Sequence, residues 1–520
     1  MVSSTLTTNH AIMKKQSILF YLAVLIISSC GTVKQNTQTE YSETHRPQFH
    51  FSPKANWMND PNGMVYLNGT YHLFFQYYPD STVWGPMHWG HATSKDLMHW
   101  DEQAIALYPD SLGWIFSGSA VYDEKNTSGL GKDGKAPLVA MFTHHDSKLE
   151  KQGRKDYQNQ SLAYSLDEGK TWTKYAENPV LKNPGIIDFR DPKVRWNEQV
   201  GKWILTLATK DRITFYSSPD LKNWNKESEF GETFGAHGGV WECPDLFPML
   251  LNGKTAWVLL VSINPGGPNK GSATQYFVGD FDGKTFKPYN TETKYVDWGA
   301  DNYAGVTWSN TGDRRIFLGW MSNWQYANVV PTEKWRSAMT IPRELSLKMV
   351  DNVAYLTSEP VKELTKIISE TATMPTALVN GSLDLSEKIQ AFNGQYQLKF
   401  DSDQLTNYSI VLSNDLGEEL VLGYDKQANQ YYIDRSKAGK RDFEIGFGVK
   451  HIAPRISKDA KTNVTLIVDV ASVEWFADNG LNVMTDIVFP NKTLDKISIK
   501  SAGGLTLKNI SYSKIDGIWK

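Results

Sequence analysis

Three short motifs carry the acidic residues of this 520-residue chain best placed to do chemistry. They are Trp57-Met58-Asn59-Asp60-Pro61-Asn62-Gly63, Phe189-Arg190-Asp191-Pro192-Lys193 and Trp241-Glu242-Cys243-Pro244-Asp245, each with a carboxylate flanked by proline and an aromatic residue. Cleaving a glycosidic bond needs an acid for the leaving oxygen and a carboxylate against the anomeric carbon. In a retaining reaction one carboxylate attacks, while the other donates a proton and later takes one back. Three carboxylates from distant segments therefore suggest a sugar-cleaving site, if the fold brings them together. Each has a plainer explanation. Asn, Asp, Pro and Gly around Asp60 are turn-formers, and a turn accounts for them as well as catalysis does. Asp191 beside Arg190 fits a surface ion pair. Glu242 is harder to set aside, because desolvation within an apolar β segment should raise its pKa, as a proton donor near neutral pH requires.

The elements that must position these groups read as strands. Met64–Leu67, Tyr71–Gln76, Leu138–Thr143, Trp203–Thr209, Trp257–Ile263 and Arg315–Trp320 are short, rich in β-branched or aromatic residues, and bounded by Gly, Asn, Asp or Pro. No long amphipathic helix precedes residue 350. A weak repeat runs through the same region: Ser94–Trp100, Ser165–Trp172, Ser218–Trp224 and Gly279–Phe286 each place an Asp-centred turn before an aromatic residue that starts the next strand. Copies recur every roughly 50–70 residues, a spacing that suits four-stranded propeller blades. A chance set of hairpin turns is the alternative; four copies in order favour the propeller. With a closing blade, residues 47–350 are predicted to form a five-bladed β-propeller. Asp60, Asp191 and Glu242 fall in three separate blades near inner strands, which all face one central funnel. Residues 351–375 read as a linker. Residues 376–520 read as a β-sandwich, with strands at Tyr396–Phe400, Tyr408–Leu412, Tyr431–Asp434, Val464–Val470, Val473–Phe476 and Thr506–Ile510. The chain is thus predicted to be all-β.

Composition narrows the partners. A net charge of -3 and the absence of a basic block give no reason to expect nucleic acid. The chain carries 18 Trp, 24 Tyr and 22 Phe, which serve a β-core and sugar stacking equally well. The two cysteines, Cys30 and Cys243, are not expected to pair. Met13-Lys14-Lys15, the apolar run Ile18–Ile27 and Ser28-Ser29-Cys30-Gly31 resemble a bacterial lipoprotein signal, with Cys30 lipidated after cleavage. An ordinary secretory signal with a chance cysteine is the alternative. Residues 1–30 are therefore read as a leader, with Met13 the more natural start, and residues 31–46 as a flexible tether. The protein is expected to be exported and anchored by lipid to a bacterial membrane, periplasmic or at the cell surface.

Taken together, the three acidic motifs resemble glycoside hydrolase family 32, the β-fructofuranosidases. Phe74-Phe75-Gln76-Tyr77, Trp84–His91, Phe116–Ala120, Gly319–Trp324 and Trp335–Leu345 carry the likeness further. It covers roughly residues 46–520, strongly to 345 and weakly beyond. The resemblance implies the same propeller and sandwich. It implies that Asp60 is the nucleophile, Glu242 the acid/base with Cys243 packed close by, and Asp191 the binder of two ring hydroxyls, helped by Arg190. It further implies that Asn59, Gln76 and Ser117 hydrogen-bond fructose, that Trp84 and Trp320 wall the pocket, and that Asp301 and Tyr303 face the leaving sugar.

An uncharged, polyhydroxylated sugar suits carboxylates, amides and aromatic walls without a cofactor or metal. His88, His91, His144 and His145 lack the carboxylate or cysteine set that a metal site would bring. The expected activity is retaining release of terminal fructosyl units from fructans such as levan or inulin, and from sucrose. An endo-acting fructanase, a fructosyltransferase and a non-catalytic fructan-binding lipoprotein are the alternatives; the intact acidic set argues against the last.

Overall fold

In the computed structural model, residues 41–389 and 392–519 are described. The leader, Cys30 and the tether up to residue 40 lie outside the described residues.

Five antiparallel sheets follow one another along the chain. Blade I comprises Asn56–Leu67, Thr70–Tyr78, His88–Ser94 and Asp101–Glu102. Blade II comprises Trp114–Tyr122, Leu138–His145, Gln158–Ser165 and Thr173–Lys174. Blade III comprises Phe189–Asn197, Lys202–Thr209, Arg212–Ser218 and Asn225–Phe230. Blade IV is built from Val240–Leu251, Lys254–Asn264, Ala273–Phe281 and Phe286–Pro288. Blade V is built from Tyr303–Thr307, Ile316–Trp320, Arg343–Val350 and Val353–Pro360. The first strand of each blade is innermost and touches the first strands of its neighbours, so the five close into a ring. Trp335–Arg336, from the chain between the second and third strands of blade V, pairs in parallel with Asn56–Trp57 of blade I and ties the ring shut.

The repeated Asp motif is the hairpin between the third and fourth strands of blades I to IV. Asp96, Asp220 and Asp282 each accept two backbone N–H bonds from residues two and three ahead, at 2.7–3.1 Å. Trp100, Trp172 and Trp224 then donate their indole N–H back to a turn carbonyl. The side chain caps the turn and the aromatic residue pins it, which is why the pair recurs in blades I to IV.

After Pro360, a single 3-10 turn at Lys362–Ile367 leads into a sandwich whose two sheets share one strand, Lys496–Ile515. Its second half pairs with Ile368–Met374 and Tyr396–Ser402, and its first half with Ala377–Asp384 and Tyr408–Ser413. Gly504, at φ +74°, sits where the strand passes between sheets, a corner that a side chain would strain.

Two expected boundaries move. The propeller does not end at 350, because Val353–Pro360 is the edge strand of blade V. The expected linker 351–375 is thus mostly sheet in both domains. The expected tether does not reach 46 either. Tyr41 stacks on Trp519 at 3.9 Å, and the buried Arg46 binds Glu43 and the carbonyl of Pro53. Aromatic stacking and a satisfied guanidinium anchor that end of the polar stretch.

Propeller and sandwich share buried surface. Ile467, Phe476, Val483 and Ile515 of the sandwich join Trp57, Met339 and Ile341 in one apolar cluster. Around it lies a polar network: Arg343 binds Glu474 and Asp297, and His50 lies 2.8 Å from both Asp469 and Glu474. Hydrogen bonds to both carboxylates raise the pKa of His50 to about 9, overcoming the opposite pull of burial.

Candidate active site

Every inner strand carries the same irregularity at the same level. In blade I, Asn59 and Asp60 oppose the single residue Gln76, between the pairs Met58–Tyr77 and Pro61–Phe75. The equivalent pairs are Phe116 and Ser117 in blade II, Asp191 and Pro192 in blade III, Cys243 and Pro244 in blade IV, and Ala304 and Gly305 in blade V. A two-for-one bulge re-aims side chains and ends regular pairing locally. Asp191, Cys243 and Ala304, each first in its bulge, have φ of 62°, 45° and 54°. Left-handed backbone is uncommon for non-glycine residues and collects at functional sites.

Asp60 and Asp191, within their bulges, and Glu242, just before the bulge of blade IV, line one pocket of about 220 Å³. Asp60 accepts from Ser117 Oγ at 2.8 Å and Asn59 Nδ2 at 2.9 Å. Asp191 accepts from the backbone N–H of Cys243 at 3.0 Å. The Cys243 thiol lies 3.4 Å from Asp60 and 3.6 Å from Asp191, bridging the two. Glu242 takes two N–H bonds from Arg190, at 2.8 and 3.0 Å, on one oxygen, and the Tyr303 hydroxyl on the other. Arg190 also binds Asp188, which lines the pocket. Glu242 thus sits among charged and polar partners rather than in the apolar segment its sequence suggested.

Burial raises the pKa of Asp60, and the nearby Glu242 charge adds to it. Burial also lifts Asp191, to about 7, with Glu242 and Asp60 reinforcing the shift and Arg190 opposing it. The Cys243 thiol and the Tyr303 hydroxyl are both pushed well above their usual ranges by burial beside this negative charge, so both stay protonated donors.

Asn59, Gln76, Trp84 and Ser117 all line the pocket, as expected from the sequence. Trp84 stands on the rim, 38% exposed, edge-on to Trp114 and Phe116. Tyr303 does not line the pocket and does not face a leaving sugar; it is buried and bonded to Glu242. Two further expectations fail. Trp320 does not wall the pocket; it is fully buried against Trp57, Tyr303 and Trp324. Its neighbour Trp324 is the lining residue. Asp301 does not face a leaving sugar; it is buried and bonded to Arg435 of the sandwich at 2.7 Å and to Tyr326 at 2.6 Å. Spacing in a motif cannot distinguish a tryptophan that points inward from one four residues later that points out. Nor does it reveal the distant arginine that claims an aspartate.

Sequence reasoning missed one stretch of wall: His145, Glu150, Tyr157 and Gln158. His145 stacks on Phe116 at 4.3 Å and lies 3.2 Å from Glu150, on a short helix, Ser147–Lys151, capped by Asp146. The capping signal was legible at Asp146; its place beside the pocket was not.

Comparison with known proteins agrees with this geometry. A family model described as Glycosyl hydrolases family 32 N-terminal domain matches residues 50–360, and one described as Glycosyl hydrolases family 32 C terminal matches residues 362–515. The junction between them coincides with the end of blade V. A levanase of Bacillus subtilis (strain 168) is 44% identical over 523 residues, spanning 98% of this chain and 76% of that protein. An extracellular exo-inulinase of Aspergillus ficuum is 41% identical over 505 residues, spanning 90% and 93%. The crystal structure of an exo-inulinase from Aspergillus awamori superposes with a TM-score of 0.83 at 37% identity, over 92% of this chain and 100% of that one.

Proposed function

We propose a retaining, exo-acting mechanism for this chain, which belongs to glycosyl hydrolase family 32 and is a glycosidase that hydrolyses fructosyl linkages of fructans and sucrose. The observation that carries the mechanism is the convergence of Asp60, Asp191 and Glu242 from three inner strands on one small pocket. Asp60 attacks the anomeric carbon of a terminal fructosyl unit, and Glu242 protonates the departing oxygen. Water then enters, gives its proton to Glu242, and releases fructose from Asp60. Asp191 and Arg190 hold ring hydroxyls, and the charge of Asp191 steadies the oxocarbenium-like transition state. Ser117 and Asn59 keep the attacking carboxylate aimed, and the Arg190 and Tyr303 bonds fix the orientation of Glu242.

Size supports exo-action. At about 220 Å³ the pocket is smaller than the roughly 300–1,000 Å³ of typical small-molecule sites, which suits a chain end rather than a threaded polymer. A time course of products from levan and inulin tests this. Fructose alone from the first points is expected, and a ladder of oligosaccharides preceding fructose means endo-action. Retention is tested by proton NMR on the first turnovers: β-fructofuranose must appear before its anomer, and the α form first removes Asp60 as nucleophile. No product from levan, inulin or sucrose would leave only a fructan-binding role.

Export with a lipid anchor completes the proposal, supported by the leader-like residues 13–30 and by an extracellular relative. If Cys30→Ala leaves the protein in the membrane fraction, the anchor is elsewhere.

A further inference from the structure

A second pocket, of about 290 Å³, opens at the other end of the inner strands of blades II to V. Its residues follow the catalytic ones along each strand: Tyr122 after Ser117, Lys193 and Arg195 after Asp191, Asp245 after Glu242, and Thr307 after Tyr303. At about 3.3 Å per residue, four residues of strand separate the two sites by roughly 13 Å.

Charge in this pocket does not balance. Asp245 is already engaged: one oxygen takes the Lys193 ammonium at 3.1 Å together with the backbone N–H and hydroxyl of Thr307, each at 2.7 Å. Arg315 spends Nε on the carbonyl of Pro248 and Nη1 on the carbonyls of Gly312 and Arg314, so its Nη2 edge has no partner among the described residues. Arg195 has neither a hydrogen bond nor an ion pair among the described residues. Burial and the charge of Arg315 hold its pKa down at about 10, against the weaker pull of Asp245. Glu198 on the rim is 78% exposed and lies 3.9 Å from Lys125. Asp245 and, more weakly, Asp313 attract Arg315 through their charge but form no ion-pair contact with it. Two guanidinium groups therefore share one aromatic-walled pocket, between Trp196 and Trp308, with no carboxylate paired to either. Guanidinium forks of this kind match oxyanions, which they bind by two parallel, charge-assisted hydrogen bonds. A neutral sugar would leave the like charges facing each other.

We propose that this far pocket is a binding site for a small oxyanion, a phosphate group free or carried on a small molecule, held between Arg195 and Arg315. The site is independent of the catalytic reading. Neither arginine belongs to the catalytic pocket.

Calorimetric titration of the whole protein with inorganic phosphate at low ionic strength tests the site, with and without fructose filling the catalytic pocket. Saturable binding that fructose does not displace is expected. Arg195→Met should weaken it at least about tenfold, as expected for a lost charge-assisted bond, and Arg195→Lys should fall between. Sucrose hydrolysis by both variants should match wild type, which shows that they are folded. No saturable binding by wild type, equal binding by active Arg195→Met, or displacement by fructose would each overturn the proposal. So would a phosphomonoester and inorganic phosphate that both fail while fructose binds at the far pocket.

Discussion

Replacing Asp301 by asparagine should weaken the fold and leave turnover intact. The Asp301 carboxylate is fully buried; one oxygen accepts from Arg435 at 2.7 Å and the Ile487 N–H at 2.9 Å, the other from Tyr326 at 2.6 Å. Without that charge, Arg435 keeps the carbonyls of Phe447 and Ile487 and the Tyr326 hydroxyl, but loses its contacting anion. Breaking one side of a buried ion pair costs about 3–5 kcal/mol. Asparagine conserves volume and one acceptor oxygen, which puts the cost near the low end, about 3 kcal/mol. Unfolding entropy is about 2.1 cal/mol/K per residue. If the roughly 480 residues of Glu40–Lys520 melt as one unit, the midpoint falls by about 3 °C. If the sandwich, roughly 150 residues, melts first, it falls by about 9 °C. Scanning calorimetry reads the shift, and steady-state sucrose hydrolysis at 25 °C reads function, with kcat and KM expected within about twofold of wild type. An unchanged midpoint with a tenfold change in KM would refute the structural assignment and return Asp301 to the sugar.

The catalytic assignment predicts that Asp60→Asn loses about ten-thousand-fold or more in kcat while staying folded, with a melting midpoint no lower than wild type because burial and Glu242 already disfavour the Asp60 charge; wild-type-like turnover removes the nucleophile. Asp191→Asn should be inactive but more stable than wild type, with a gap that widens with pH. The native carboxyl titrates above its unfolded value, so the stability it contributes is present below about pH 4 and lost as pH rises through about 7; equal gaps at pH 5 and pH 8 contradict this. His50→Gln should show the reverse pattern across the domain interface. With a native pKa of about 9 against 6.5, His50 stabilises fully below pH 6.5 and ceases to do so as pH passes 9. The melting deficit of this variant should therefore shrink between pH 6 and pH 9.5. Trp324→Ala should raise KM several-fold with a smaller loss of stability, because it is only half-buried against Trp57 and Trp320. Trp320→Ala should instead cost about 3–5 kcal/mol, as a fully buried tryptophan does; the opposite pairing of effects would put Trp320 back in the wall.

Much of this was legible before any coordinates. The four Asp–aromatic turns recur because capping and pinning a hairpin are local acts, carried out within seven or eight residues and so written in consecutive sequence. The inner-strand location of Asp60, Asp191 and Glu242 followed from the same repeat. What failed depended on distant chain. Arg435 claims Asp301 across 134 positions, and no local pattern marks that pairing. Tyr41–Arg46 reads as a connecting segment because it is polar, and Val353–Pro360 falls in with the Lys- and Glu-bearing stretch that follows it. An edge strand and a chain end can be polar along one side while the other packs, and only the partner, blade V or Trp519, decides which.

The prolines show how a chemical reading attached itself to the wrong element. Around Asp60, Asp191 and Glu242 they signalled interrupted backbone, and turns were the natural inference. In the structure the interruption is a bulge within a continuous inner strand. Pro192 and Pro244 occupy bulge positions, where no ladder hydrogen bond is required of them, and Pro61 follows the bulge of blade I. A turn would have carried the carboxylates away on flexible loops. A bulge leaves sheet on both sides and frees only the two residues it contains. That rigidity matters because the site is electrostatically unfavourable: Asp60, Asp191 and Glu242 repel one another, and Arg190 compensates only in part. Loops would relax by letting the carboxylates swing apart. Five closed blades do not allow it, so burial, reinforced by the repulsion, keeps the proton affinity of Asp60 and Asp191 raised until a substrate arrives. The same closure accounts for the second pocket. The channel that forces three carboxylates together at one end brings Arg195 and Arg315 together at the other, and the Lys193–Asp245 pair separates the two unbalanced charges.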